Sequence, residues 1–139
     1  MANLMYGKAK QAFFNGDIDV QINQIKILFV DSTYSPNISS DEFVSQIPSS
    51  SIKHRSNALS NVTTNLGVLD ADDIAVADYP GNAFKALVLY QNSGSDSTSR
   101  LIAYIEDSTG LPFPGSATQV PVSIVWNNDS NKIIALTNS

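Results

Sequence analysis

The chain is predicted to be all-β in the broad sense, mainly β: a sandwich of about eight short strands with a short N-terminal helix and one short helical insertion. Three observations predict this class. Apolar runs of strand length such as "FKALVLYQ" and "RLIAYIED" recur along the chain, clusters of Ser, Asn, Asp, Gly and Pro separate them, and only one segment shows a clear helical spacing of apolar residues. The 139 residues fit one domain, 1–139, large enough to bury a core without disulfides. No repeat, charge block or linker divides it.

The helix is expected over Gly7 to Phe14, where Met5, Lys8, Ala9, Ala12 and Phe13 fall at helical spacings and Gly16 suits the left-handed residue that ends a helix. Ile18, Val20 and Ile22 alternate with polar residues as in a half-buried strand, and "QIKILFVD" reads as a more apolar one. In "SSDEFVSQIP", Ser39 and Glu42 have the spacing of a capping box and Pro48 closes one or two helical turns. "KHRSNALS" and "TTNLGVLD" read as two weaker strands joined at Asn61. "DIAVADY" places Ile74, Val76 and Asp78 on one face and Ala75, Ala77 and Tyr79 on the other. "FKALVLYQ" and "RLIAYIED" form a hairpin around "NSGSDSTS", "VPVSIVW" is a strand whose Pro121 suits an edge, and "KIIAL" closes the fold after the turn "NNDSN".

Composition narrows the function classes. Hydrophobic residues make up 42% and charged residues 15%, so Ser, Asn and Thr supply much of the surface. A net charge of −5 opposes a phosphate backbone, and nucleic acid is not an expected partner. The absence of cysteine removes thiolate chemistry and Cys-based metal sites. No stretch has the length and apolarity of a membrane-spanning helix, and no signal-peptide pattern opens the chain, so synthesis in a cytoplasm is expected and a membrane is not. The N-x-[ST] patterns at Asn37, Asn61 and Asn128 are read as accidents of composition.

The densest cluster of candidate ligands is "LDADDIAVADYP", with Asp70, Asp72, Asp73 and Asp78. Hard oxygen donors suit calcium or magnesium, but a calcium loop of the EF-hand type needs a glycine and a terminal glutamate where this chain has Ile74 to Ala77. The preferred reading is a turn whose aspartates bond nearby N–H groups; cation binding by Asp70, Asp72 and Asp73 is the alternative. His54, the only histidine, lies in "KHR" with no sign of a nucleophilic partner, and is read as an exposed loop residue. No P-loop, dinucleotide fingerprint or nucleophile elbow occurs, no catalytic residue or cofactor is assigned, and an enzyme is not expected. Tyr34, Tyr79, Tyr90, Tyr104 and Trp126 could stack on sugars, although Tyr90, Tyr104 and Trp126 fall in the strongest strands, where core or inter-subunit packing is expected.

The order of segments resembles a known family. "YGKAKQAFFNGDIDV", "IKILFVDSTYSPNISSDEFVSQIP", "TTNLGVLDADDIAVADYPGNAFKALVLYQNSGSDSTSRLIAYIEDSTGLP" and "NKIIAL" together resemble small virion structural proteins of tailed DNA bacteriophages, over nearly the whole chain. The family pattern would place a glycine near Asp129 in "WNNDSNKI", where this chain has none. The resemblance implies a head decoration or cement protein on the outside of the capsid, made in the host cytoplasm, partnered by the major capsid protein and by itself, most simply as a homotrimer. A tail, neck or baseplate component is the alternative, and a host-surface or carbohydrate-binding module a further one.

Contact residues are expected in two cationic segments. Residues 1–10 would form an interaction arm, with Leu4, Met5 and Tyr6 supplying apolar burial and Lys8 and Lys10 steering toward an acidic patch. Lys53, His54 and Arg55 would add a secondary contact. On this reading the domain folds without residues 1–6.

Overall fold

The computed structural model describes residues 3–126 and 133–135. The Asn128 pattern, the turn around Asp129 and the ends of the 132–136 segment lie outside them. The structure is mainly β, as predicted. Among the described residues, ten strands and one helix follow in the order β1 (Leu4–Met5), α1 (Gly7–Asn15), β2 (Gln24–Val30), β3 (Ile52–Arg55), β4 (Thr63–Asn65), β5 (Val68–Asp70), β6 (Ile74–Tyr79), β7 (Ala86–Asn92), β8 (Arg100–Ile105), β9 (Val120–Ile124) and β10 (Ile134–Ala135). Two 3-10 turns, Val44–Gln46 and Ser49–Ser51, interrupt the connection from β2 to β3.

The strands form an antiparallel five-stranded sheet in the order β1-β8-β7-β2-β3, a three-stranded sheet β10-β5-β4 and a ribbon β6-β9. Directly opposed residues share a face, so the register Leu28↔Val88↔Tyr104 defines one face of the main sheet and Phe29↔Leu87↔Ile105 the other. Both faces are covered, which explains why β2, β7 and β8 read as continuous apolar runs rather than alternating ones. Tyr34, from the connection after β2, reaches the Tyr104 face, their ring centroids 6.2 Å apart. The opposite face meets the ribbon: Phe29 packs 5.6 Å from Tyr79 and 4.8 Å from Phe84. Helix α1 packs on β8 through buried Ala9 and Ala12 and ends at Gly16, whose φ of 78° is the left-handed value the sequence anticipates.

Four local expectations are corrected. Ile18, Val20 and Ile22 do not form a strand. Asp19 Oδ1 accepts the Gln21 N–H and Asn23 Oδ1 accepts the Asp19 N–H, and these side-chain bonds close a turn instead. Ser39 and Glu42 make no capping box; Gln46 Oε1 accepts the N–H groups of Glu42 (2.7 Å) and Phe43 (2.9 Å) and starts the 3-10 turn at Val44. "TTNLGVLD" is a hairpin, not one strand, because Leu66 (φ 50°) and Gly67 (φ 82°) both turn left-handed, the signature of a two-residue hairpin loop. In β6 a register shift between Val76 and Tyr79 breaks the alternation and turns Tyr79 into the core.

Candidate functional site

The N-terminal segment is built into the sheet. Leu4 and Met5 pair with Tyr104 and Ala103 as edge strand β1. The Tyr6 N–H donates to the Ile102 carbonyl (3.0 Å), and its side chain is 0% exposed, with its hydroxyl 2.8 Å from that of Tyr34. The Tyr34 hydroxyl in turn donates to Asp41 Oδ2 at 2.9 Å. Burial, before any other cause, raises both tyrosines well above the ordinary phenol range, so the pair stays neutral. The expectation of a free arm is therefore corrected: Tyr6 is core, and Leu4 and Met5 complete a sheet edge. The sequence misled because an apolar triplet near a terminus fits either a docking arm or a short edge strand.

Lys8 and Lys10 do face solvent on α1, and among the described residues neither forms an ion pair with a carboxylate. Beyond them on the helix lies a feature the sequence reading missed. Phe14, which follows a half-buried Phe13, is 88% exposed. With Ala9 and Ala12 inward, the helical repeat turns Phe14 outward, one turn beyond Lys10.

The "KHR" segment lies in strand β3, as the strand reading of "KHRSNALS" expects for its first three residues although not for the rest, and its side chains hold partners within the fold. Lys53 Nζ lies 3.2 Å from Asp31 Oδ2 and donates to the Ser50 carbonyl at 3.0 Å. At Asp31 burial favours the neutral acid, but the bonds from Thr33 and Lys53 outweigh it and hold the carboxyl below its ordinary value. The His54 ring meets Phe29 edge-on at 5.1 Å and Tyr79 at 5.7 Å; desolvation there lowers its pKa. Arg55 makes a two-pronged bond to Asp96 at 2.8 and 2.7 Å, tying β3 to the loop between β7 and β8. The expected reading of His54 as an exposed loop residue is thus corrected: strand pairing with Phe29 sets it on the aromatic face.

The aspartates of "LDADDIAVADYP" at 70, 72 and 73 serve the turn before β6. Asp70 Oδ1 accepts the Ala71 N–H, Asp72 Oδ2 accepts from Asn61 Nδ2, and Asp73 Oδ1 accepts the Trp126 N–H at 2.9 Å. The Trp126 indole N–H donates to the Asp72 carbonyl at 3.0 Å. Asp78 is exposed on β6. These bonds support the turn reading; among the described residues no group of three potential metal ligands converges.

The tyrosines proposed for sugar stacking are core residues, while Trp126, 8% exposed, closes one end of a groove of about 590 Å³. Leu87 and Ile105 of the main sheet, Val122 and Ile124 of β9 and the loop carrying Asp107 line it. It forms where the ribbon and the loop after β8 stand off the end of the sheet. Sequence periodicity carries no signal for such a gap, because it depends on how two layers diverge. No protein-family model matches the chain, and no curated protein is significantly similar to it.

Proposed function

We propose that the protein is a virion structural protein of a tailed bacteriophage, a decoration or cement protein that binds the outer surface of the head shell and stabilises it through the major capsid protein. The observation that carries this reading is the resemblance of the segment order, which extends over nearly the whole chain. "YGKAK" opens α1, "IKILFV" falls in β2 and "RLIAYI" is β8, and the remaining resembling residues run through the loops that join these elements. The chemistry supports a passive binding role as well. Arg55–Asp96, Lys53–Asp31 and Arg100–Glu42 bind strands to loops of the same chain, a use of charge that rigidifies a subunit. A lattice supplies affinity by repetition, so each contact can be weak.

Copy number tests the proposal. In virions containing the chain, gel densitometry should give copies on the order of hundreds per particle, comparable to the major capsid protein, as expected of a component repeated by the shell's symmetry. A few to dozens of copies would assign it to the tail, neck or baseplate instead. Absence from purified virions would overturn the structural role.

A further inference from the structure

Two surfaces of the subunit match each other in chemistry without touching. The outer face of α1 presents Phe14, almost fully exposed, with Lys10 one turn back and Lys8 on the other flank. No carboxylate lies within α1, although the chain as a whole carries a net charge of −5. The groove has the inverse pattern. Its floor is Leu87, Val122 and Ile124, exposed Asp107 stands on its rim, and beside its Trp126 end the exposed Asp73 carboxylate accepts the Trp126 N–H, while Asp72 meets the indole through its main-chain carbonyl. At about 590 Å³ it exceeds by several fold the roughly 150 Å³ that suffices for a benzene ring.

We propose that the outer face of α1 docks into the groove of a second copy of this chain, with Phe14 seated against Val122, Ile124 and Trp126 and the two lysines facing the acidic rim. Charge complementarity selects this occupant. Helix against helix would oppose lysines and groove against groove would oppose aspartates, whereas helix against groove joins opposite signs. Because the two patches differ, the contact is head-to-tail and closes into a ring where the rotation permits. The inference concerns the subunit alone and stands whether or not the virion assignment holds.

Sedimentation velocity of the full chain at low and high ionic strength tests it without particles. The helix variant carries Lys10→Ser and Phe14→Ser; the groove variant carries Asp107→Lys and Ser123→Lys. All four positions are exposed, and unchanged melting curves check that both variants fold. The wild type should associate, more strongly at low salt, and each variant should raise the dissociation constant at least about tenfold, as loss of a central aromatic anchor does. Mixed in equal amounts, the variants should form a one-to-one dimer that grows no further, since only one working helix and one working groove can meet. A wild type that stays monomeric at millimolar concentration overturns the proposal. So does either folded variant that associates like the wild type, or a mixture that fails to pair. If the wild type is monomeric but the helix variant loses binding to capsid protein, the face serves a different partner and the proposal is wrong.

Discussion

The two faces of the central sheet both carry aromatic side chains but are held by different physics. On the Tyr104 face, hydroxyls form a bonded set: Tyr6 to Tyr34, Tyr34 to Asp41, and Tyr104 to Glu106 at 2.9 Å. On the opposite face Phe29, His54, Tyr79, Phe84 and Phe113 meet as rings at 4.8 to 6.0 Å, with one hydroxyl bond, from Tyr79 to the Asn82 carbonyl. A hydrogen-bonded face tolerates only one arrangement, since a displaced partner leaves a buried polar group unpaired. A ring-packed face gains from area and tolerates an incomplete cover. That difference explains why the groove opens beside the ring-packed side and none of the hydroxyl set lines it.

Truncating each face should produce the largest effects and show that both are structural. Tyr6→Ala and Phe29→Ala should each destabilise by about 3–5 kcal/mol, the range for emptying a buried aromatic site. Against a total stability on the order of 5–15 kcal/mol, either could leave the chain largely unfolded in urea titrations. Removing residues 1–6 should be at least as severe, because β1 is lost with Tyr6. A deletion that unfolds at the wild-type urea midpoint would restore the idea of a free arm.

Removing single hydroxyls separates the faces. Tyr34→Phe strands the buried Tyr6 hydroxyl and deprives Asp41 of a donor, and should cost about 1–3 kcal/mol. Tyr79→Phe frees only the carbonyl of exposed Asn82 and should cost about 0.5–1.5 kcal/mol. Equal losses in the two denaturation midpoints would mean that the hydroxyl set contributes no more than an isolated bond.

Much of this frame was legible in the sequence, and the exceptions have local causes. β2, β7, β8 and the helix follow from apolar runs, a loop of turn formers and Gly16. The Arg55–Asp96 and Trp126–Asp73 bonds join residues 41 and 53 positions apart, and no local pattern encodes such distances. Phe14 was within reach: a wheel drawn through Ala9 and Ala12 already turns it outward. The hairpin at Leu66 was hidden because leucine is a poor residue for a left-handed turn, and the strand period ran straight through it. As a control outside both faces, Leu66→Asn should stabilise by about 0.5–1 kcal/mol, since asparagine accepts that conformation more readily and the leucine, 94% exposed, gives up no packing. A lower melting temperature would show that Leu66 makes a contact the isolated chain conceals.

The smallest effect concerns pH and belongs to the ring-packed face alone. His54 is held below its ordinary value by desolvation beside Phe29 and Tyr79, so the unfolded chain binds the proton more readily than the folded one. Stability from this group is therefore present above the unfolded value near 6.5. It falls as pH drops through that value toward the lowered folded one, below which the penalty is constant. Asp31, also lowered, loses its contribution only at more acid pH, as the solution passes through the carboxylate range, so the two windows separate. The tyrosines of the other face, raised above the phenol range, stay neutral throughout both. The slope of stability against pH just below 6.5 should flatten in His54→Phe, which keeps the ring contact without the titration, and remain in Tyr34→Phe. A slope that His54→Phe leaves unchanged would place the pH response elsewhere and remove this distinction between the faces.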